Sequence, residues 1–254
     1  MGRSVSLTPD ILFEDNHNLV LWKPAGLPSQ APEAIPSLES WARDYLIVKY
    51  GKKGRPYLGI PHRLDRPVSG AHYLAKSSKA AARIAEQFRL REVRKEYLAL
   101  LEGQVDPASF LGWSCWLDQV RKIPGQARGE CCTAGVEGAR PASLEVRLLG
   151  QQDGLALFSI LLQTGRMHQI RLQASSREMP VLGDHLYGST REWSNGDIPL
   201  GAVGLHSWRL GFYHPIQYAP VMVTAELPGY WPPWAKELAA ATEPGEIPER
   251  KGAP

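Results

Sequence analysis

The chain is poor in cysteine and has no long hydrophobic segment. Its 254 residues include only three cysteines, Cys115, Cys131 and Cys132. Because their number is odd and two are adjacent, they give neither a disulfide framework nor a zinc-binding spacing, and we expect reduced thiols. The longest apolar run, residues 155–162, is far too short to cross a bilayer. No apolar segment follows the N-terminus, so we expect a cytoplasmic protein without membrane contact.

Signatures of cofactor-dependent enzymes are also missing. The chain has no P-loop, no dinucleotide-binding fingerprint and no Gly-x-Ser-x-Gly nucleophile elbow. His62, His168 and His185 lack the close ligand pair, such as His-x-x-x-His, that is typical of metal sites. We therefore expect an activity that needs no metal, nucleotide or redox cofactor.

Positive charge is concentrated in one part of the chain. Residues 51–95, here called the basic segment, hold twelve Lys and Arg against three Asp and Glu, although the whole chain carries only +3. The segment therefore carries +9 and the remainder −6. A solvated helix face is the common explanation, whereas a polyanionic partner becomes the better one if chemistry lies in the same segment. The candidate phosphate contacts are Lys52, Lys53, Arg55, Lys76, Lys79, Arg83, Arg89 and Arg91.

Hydrophobic patterns predict more strands than helices. Runs that are apolar on both faces, or that alternate with polar residues, predict strands at 18–23, 93–101, 143–148, 155–162, 205–212 and 221–226. Residues 112–140 have many glycines and little periodicity, which is typical of an irregular segment or a loose hairpin. Because neighbouring strands often lack an intervening helix, we predict an α+β fold with a mixed, largely antiparallel sheet flanked by helices and loops.

Caps and apolar periodicity predict three helices outside residues 164–171. The first follows Ser37 and is expected to place on one face Leu38, Trp41, Tyr45 and Val48. The second runs from Ser77 or Ser78 to about Leu90 and is expected to bury Ala81, Ile84, Ala85 and Phe88. The third follows Pro233, with inward-facing Trp234 and Leu238. Without an internal repeat or linker, we predict one domain, residues 1–241, followed by a disordered tail, residues 242–254.

Asp65 is the first candidate for chemistry. His62, Arg63 and Arg66 lie within three positions of it, and such neighbours hold a carboxylate ionised. An ionised carboxylate serves as a nucleophile, as an electrostatic stabiliser or as half of an ordinary ion pair. The neighbours alone favour the ion pair, so the choice depends on other segments.

Two further segments carry polar side chains beside predicted strands. Tyr97 has the only phenol in residues 95–103, which read as a strand that ends at a glycine. In residues 164–171, Gly165 breaks a strand and begins the first turns of a helix. His168 and Arg171, three residues apart, are then expected to share a helix face.

Five segments, in order, resemble the RluA-type family of RNA pseudouridine synthases. The family's stretch HRLD-x-x-TSG appears here as HRLDRPVSG, residues 62–70. The motifs KP-x-G, K-x-Y, TGR-x-HQIR and GD-x-x-YG appear at residues 23–26, 95–97, 164–171 and 183–188. The resemblance covers about residues 11–228 and begins directly at the catalytic domain, so we expect no N-terminal RNA-binding module of the S4 type.

The resemblance implies a fold, a reaction and a role for each candidate. It implies a single pseudouridine-synthase domain that isomerises uridines in ribosomal or transfer RNA without a cofactor. Asp65 would attack the uridine, after which the base detaches, rotates and rejoins the ribose through carbon five. Tyr97 would lie against the target base, Arg171 would pair with Asp65, and Arg63 would hold the RNA open around the flipped nucleotide. We expect a monomer.

Departures from the family pattern are modest. Val68 replaces the usual Thr, Met167 sits where Ser or Thr is common, and Leu172-Gln173 replaces a frequent Val-His. Substrate contacts near Met167 and Gln173 are therefore open.

Two alternative functions also remain. A catalytically inactive RNA-binding protein would keep the same fold, although the joint presence of Asp65, Tyr97 and Arg171 argues against it. A hydrolase that uses Asp65 with a histidine would release a free base or fragment, whereas an isomerase leaves the mass of the RNA unchanged.

Overall fold

A computed structural model describes residues 7–194 and 196–250. In chain order the strands are β1 (Asp10–Glu14), β2 (Asn18–Lys23), β3 (Ser69–Ala75), β4 (Arg94–Glu102), β5 (Ser114–Lys122), β6 (Gly129–Cys132), β7 (Arg140–Gln152), β8 (Leu155–Leu162), β9 (Leu205–Tyr213) and β10 (Pro220–Thr224). The α-helices are α1 (Leu38–Tyr50), α2 (Ser78–Leu90), α3 (Gln169–Ser175) and α4 (Pro233–Ala240). Short 3-10 helices lie at Pro107–Phe110 and His185–Tyr187. Among the described residues no helix is both long and apolar enough to span a membrane.

The chain divides into two compact units. Unit 1 comprises residues 1–94, 207–228 and 244–254, and unit 2 comprises residues 95–206 and 229–243. The strand order within unit 1 is β1-β2-β3-β9, with β10 also paired to β9, and within unit 2 it is β4-β8-β7-β5-β6. The pairs β1–β2, β2–β3, β9–β10, β4–β8, β8–β7, β7–β5 and β5–β6 are antiparallel. The predicted α+β class with a largely antiparallel sheet is confirmed, and the assignment of residues 1–241 to one domain stays a prediction.

Helix α1 forms where a cap was expected, and three of its four predicted inward residues, Leu38, Trp41 and Tyr45, pack against the core. The Ser37 side chain accepts from Ser40 N in a capping box. The buried positions are Leu38, Ala42 and Leu46, which pack with Leu19, Leu21 and Leu74 of the sheet. The expectation for Val48 is wrong, since its side chain is 84% exposed.

Helix α2 begins after the Ser77 cap and buries Ala80, Ile84 and Gln87. The prediction is correct for Ile84 and wrong for Ala85, which is exposed. Gln87 takes an inward position because its amide pairs with the backbone of Tyr213: Nε2 donates to the carbonyl oxygen (2.7 Å), and Oε1 accepts from the amide nitrogen (2.9 Å). A polar residue is thus buried with its hydrogen bonds made, as burial requires.

Strand β3 is completely buried and was not predicted. Its residues pair with β2 from Gly70–Lys23 to Ala75–Asn18. Ser69, Gly70 and His72 interrupt the apolar pattern on which strand prediction depends. Gly70 is required here because its φ is +114° and a Cβ would lie 2.6 Å from Ser207 N of β9. Residues 61–68 therefore lie directly before a strand in the middle of the unit 1 sheet.

The glycine-rich stretch of unit 2 forms the predicted hairpin. Strands β5 and β6 pair from Gln119–Cys132 to Lys122–Gly129. Helix α3 packs on this hairpin through Leu172, which joins Val120, Ala142 and Tyr187 in a small core. Helix α4 is anchored by the buried Ala235 and Ala239, whereas the predicted inward residues, Trp234 and Leu238, are half-buried.

The C-terminal segment of unit 1 has no regular secondary structure but makes contacts. Arg94 Nη1 donates to Glu246 O (3.2 Å). The Arg250 guanidinium lies 4.5 Å from the ring centroid of Tyr218 and 5.8 Å from that of Tyr213. These contacts argue against disorder for residues 244–250, and residues 251–254 of the predicted tail lie outside the described residues. The tail boundary stays a prediction.

Replacement of Gly70 by Ala is expected to lower the free energy of unfolding by about 2–5 kcal/mol, because backbone strain adds to overlap with Ser207. Gly103 is the matched control, since its φ is +115° but a Cβ added there would meet nothing within 4 Å. Gly103→Ala should therefore cost only the strain, about 1–2 kcal/mol. Urea unfolding of both variants measures the difference, and equal losses would show that Ser207 does not restrict residue 70.

Candidate active site

The loop that carries Asp65, residues 61–68, lies in unit 1 and has no regular secondary structure. Val68 N donates to Asp65 O (3.1 Å) and closes a turn immediately before β3. Leu64 is buried, and the Ser29 hydroxyl holds its backbone on both sides, donating to Leu64 O (3.0 Å) and accepting from Leu64 N (3.1 Å). The side chain of Asp65 is left half-exposed. The loop thus presents a carboxylate from a fixed backbone.

The KP-x-G turn holds the other end of the loop. Gly26 N donates to Arg66 O (2.8 Å), and Arg66 Nε donates back to Gly26 O (2.9 Å). Lys23, fully buried, donates from Nζ to the carbonyl oxygens of Pro24 (3.0 Å), Leu27 (2.7 Å) and Arg66 (3.3 Å). Two motifs that lie 40 residues apart in the sequence are therefore joined at Arg66, the residue directly after Asp65.

Lys23 also supplies the electrostatics of this loop. The pKa of Lys23 is lowered to about 7, mainly by burial; the negative charge of Asp65 opposes this shift and the smaller effect of the Arg66 charge adds to it. Three carbonyl acceptors match the three N–H groups of an ammonium, so the geometry favours the charged form. A buried cation next to a half-exposed carboxylate attracts it more strongly than a surface lysine does.

His62 supports the loop by stacking. Its ring lies 4.4 Å from the ring of His72 and 4.9 Å from that of Phe88, measured between centroids. His62 Nε2 accepts from Tyr73 N (2.9 Å), so the histidine is fixed by β3. Burial lowers the pKa of His72 well below its usual value, with a smaller contribution from the charges of His62 and Lys23. A neutral His72 ring on β3 therefore supports the HRLD stretch by stacking on His62.

The other predicted residues are divided between the units. Arg63 is exposed on the Asp65 loop of unit 1. Tyr97 is 7% exposed on β4 of unit 2, opposite Ile160 of β8. Arg171 is 4% exposed on α3, also in unit 2. The pairing of Arg171 with Asp65, which the resemblance implies, stays a prediction.

Within unit 2, Arg171 forms a two-pronged ion pair with Asp184. Its Nε donates to Oδ2 (2.6 Å) and its Nη2 to Oδ1 (2.7 Å), and both residues are buried. Parallel hydrogen bonds of this kind fix the plane of a guanidinium. The Tyr187 ring covers it, with its centroid 4.9 Å from Arg171 Cζ. The Asp184 backbone closes a turn, since its carbonyl accepts from Tyr187 N and Ser189 N, so the residue serves the turn and holds Arg171 at the same time.

His168 lies one residue outside the helix in which it was expected. It is the N-cap of α3 and has φ +52°, so His168 and Arg171 do not share a helix face in the predicted sense. They nevertheless meet at one side chain, because His168 Nδ1 lies 2.8 Å from the Tyr187 hydroxyl oxygen. Gly129 N donates to that same oxygen (3.0 Å), and burial raises the pKa of Tyr187. The HQIR and GD-x-x-YG motifs therefore form one cluster.

Comparison with known proteins decides the family. A family model described as RNA pseudouridylate synthase matches residues 17–176, which include both the Asp65 loop and Arg171. The chain belongs to this family. It is 31% identical over 212 residues to ribosomal large subunit pseudouridine synthase D of Nitrosomonas europaea, a match that covers 81% of this chain and 58% of that protein. The chain thus spans less than two thirds of the length of that relative.

Three further comparisons agree. An uncharacterized RNA pseudouridine synthase of Zymomonas mobilis is 31% identical over 225 residues, which is 87% of this chain and 95% of that protein. The solved structure of human RNA pseudouridylate synthase domain containing 4 superposes with a TM-score of 0.68 at 22% identity, covering 87% of this chain and 89% of that one. Human RNA pseudouridylate synthase domain containing 1 gives 0.67 at 23% identity, covering 94% and 90%. At these identities the human structures show the fold.

The family departures at Gln173 and Met167 differ in character. Gln173 is completely buried, where its amide nitrogen donates to Asp118 (2.6 Å) and its amide oxygen accepts from Gln169 (2.9 Å). This position is structural in unit 2. Met167 is 39% exposed and lies at the surface of the loop before α3. Of the two departures, only Met167 is available to a ligand.

The basic segment needs one correction. Lys76 is buried, with Nζ donating to Glu14 (2.7 Å) and to the carbonyl of Asp15 (2.6 Å), so it does not contact phosphate. Arg89 is exposed but forms an ion pair with Glu86 of the same helix. Lys52, Lys53, Arg55, Lys79 and Arg91 are exposed. The segment as the main RNA footprint stays a prediction carried by these exposed residues. No group of three or more metal-ligating side chains occurs in residues 7–194 and 196–250.

A change from pH 7.5 to pH 5.5 is expected to destabilise the protein through His72. The unfolded chain binds a proton to this residue below about pH 6.5, whereas the buried ring stays neutral, so stability is lost as the pH falls. The loss from one such histidine is about 1 kcal/mol at pH 5.5. Urea unfolding at both pH values measures it. His72→Phe keeps a ring against His62 and should show a smaller loss, and an unchanged loss would assign the effect to other groups.

Proposed function

We propose that this chain isomerises uridine to pseudouridine in RNA, with Asp65 as the nucleophile. The observation that carries the proposal is the support of Asp65: its loop is fixed by Ser29, by Gly26 and by the buried Lys23, while the carboxylate itself stays half-exposed. An ordinary surface ion pair needs no such preorganised backbone, whereas a nucleophile does. Membership of the RNA pseudouridylate synthase family supports the same reaction.

The reaction balances without a co-reactant. Attack by the Asp65 carboxylate on the uridine is followed by cleavage of the bond between the ribose and N1 of the base. The base rotates, and a new bond forms between the ribose carbon and carbon five. The bond between Asp65 and the nucleoside breaks, which regenerates the free carboxylate. Carbon five then loses its proton and N1 gains one, so the product has the same mass as the substrate. No electron acceptor, metal or hydrolytic water is consumed.

The remaining residues are proposed to position the nucleotide. Tyr97 would place its ring against the target base, since a phenol on a buried strand offers a rigid aromatic face. Arg171 would orient the catalytic carboxylate, and its guanidinium plane is already fixed by Asp184. Arg63, exposed beside Asp65, would hold the RNA open around the flipped nucleotide.

We further propose ribosomal RNA of the large subunit as the substrate, in a monomeric, cytoplasmic enzyme. The support comes from relatives in Nitrosomonas europaea and Xanthomonas campestris, which carry the name ribosomal large subunit pseudouridine synthase D. Transfer RNA is the alternative.

Asp65→Asn is expected to abolish pseudouridine formation while leaving the fold and RNA binding intact, because the amide keeps the shape but is not a nucleophile. The assay is release of tritium from RNA labelled at carbon five of uracil, performed with a chelator present. Asp44→Asn, an exposed change on α1, is the matched control and should retain activity. Substantial turnover by Asp65→Asn would sink the catalytic assignment. A wild-type protein that binds RNA but never releases tritium would instead favour the inactive RNA-binding alternative.

Loss of the gene is expected to remove one or a few pseudouridines from large-subunit ribosomal RNA. Mapping of pseudouridines across all RNAs in a strain without the gene checks this, and the same strain carrying the wild-type gene or Asp65→Asn supplies the controls. Sites lost only from transfer RNA would contradict the proposed substrate while leaving the reaction intact.

A further inference from the structure

A second basic surface lies in unit 2, outside the basic segment. A groove of about 390 Å³ is bounded by the β5 end, by residues 138–140 and by the loop before α3. The charged and apolar residues that line it include Lys122, Arg140, Arg166, Met167 and Leu172. Within this part of the described chain, no acidic residue lines the groove. Its volume is within the range of sites that hold small organic ligands.

Strand alternation explains why positively charged side chains line one face of the groove. Val120 is paired with Arg140 across β5 and β7, and Lys122 follows Val120 by two residues, so all three point to the same face. Helix α3 covers Val120 through Leu172. The neighbouring positions on this face, Lys122 and Arg140, are exposed. The face that is apolar under the helix therefore continues as a positively charged surface.

The cations of the groove differ in availability. Arg121 belongs to the opposite face of β5, and its guanidinium pairs with Glu130 (2.6 Å), which neutralises it. Arg166 is anchored through Nε, which donates to Pro141 O (3.0 Å). That bond holds the guanidinium at the wall of the groove without neutralising its charge. Lys122, Arg140 and Arg166 are thus the three charges that a ligand would meet.

One wall of the groove is apolar. Met167, which follows Arg166, is 39% exposed. Gly165 also lines the groove and has open space beside it, since a Cβ added there would meet nothing within 4 Å. A thioether makes favourable contacts with flat aromatic rings. The groove therefore combines cations with an adaptable apolar side chain. A nucleotide has the matching pair of features, an anionic phosphate and a flat base.

We propose that this groove is a nucleotide subsite for RNA, with Lys122, Arg140 and Arg166 binding phosphate and Met167 packing against a base. The proposal deepens the proposed function and rests on it, since it assigns a second RNA contact to the same enzyme. The nucleotide is a different one from the target, because Asp65 is the residue assigned to the isomerised uridine. An acidic peptide would use the cations equally well, but it offers no flat ring to Met167.

The test separates the two contacts. Binding of a fluorescein-labelled oligouridylate is measured as a function of salt, beside an abasic oligonucleotide of the same length. Lys122→Ala with Arg140→Ala should weaken the binding of both and flatten the slope of log affinity against log salt by about 1.4, since each lost contact with single-stranded RNA removes about 0.7. Met167→Ser should weaken oligouridylate binding by about 2- to 10-fold and leave the abasic probe unchanged.

Lys236→Ala is the charge-matched control in the same unit. Lys236 lies on α4, donates to Gly229 O (2.7 Å) and does not line the groove, so its loss should leave the slope unchanged. An unchanged slope for the double variant overturns the phosphate contacts, and an equal effect of Met167→Ser on both probes overturns the base contact. Displacement of oligouridylate by polyglutamate as effective as by unlabelled oligouridylate overturns RNA as the ligand.

Failure of the proposed function gives a different result. Absence of tritium release by the wild type contradicts the isomerase assignment, yet the two groove variants would still show the binding changes described. Normal tritium release with unchanged binding in the groove variants contradicts the subsite alone.

Discussion

The position of Asp65 depends on the burial of one ammonium group. Lys23 is fully buried, and an unpaired charge in such a place costs several kcal/mol. Three carbonyl oxygens satisfy it, those of Pro24 and Leu27 and that of Arg66, directly after Asp65. The charge is solvated only when both segments adopt this arrangement. The Asp65 loop is therefore placed by a hydrogen-bonding requirement of a neighbouring residue, while the Asp65 side chain itself stays half-exposed.

In unit 2 a buried ion pair, Arg171–Asp184, fixes the position of a functional candidate, the Arg171 guanidinium. Replacing such a pair by apolar residues is often neutral or stabilising, so Arg171–Asp184 is weak as a source of stability. What the pair provides is orientation: two hydrogen bonds fix the guanidinium plane, and Tyr187 covers it. Two motifs that are separate in the sequence, HQIR and GD-x-x-YG, thereby act as one rigid element. The residues of these two motifs are fixed by hydrogen bonds to one another.

The sequence pattern predicted the elements whose own residues show apolar periodicity or a helix cap. β2, α2 and β8 were expected at 18–23, about 78–90 and 155–162 and lie there, because apolar periodicity and caps specify them. β3 was missed because its burial comes from its neighbours and its own sequence includes a serine, a glycine and a histidine. The errors at Val48 and Ala85 have one cause. Several adjacent helix faces contain apolar residues, and the choice among them is made by the sheet on which the helix packs.

The motifs located every candidate residue but could not show which ones are paired or buried. Lys76 was counted as a phosphate contact because charge along a sequence carries no information on depth. Burial alone would raise the pKa of Glu14, yet hydrogen bonds from Lys49, Lys76 and two tyrosines lower it to about 2, which shows how fully that lysine is engaged. A polyanion responds only to exposed charge. Outside the basic segment the chain is acidic on average, so a count of charge along the sequence does not reveal Lys122, Arg140 and Arg166 as a group. These three residues line one groove only after β5, β7 and the loop before α3 have folded.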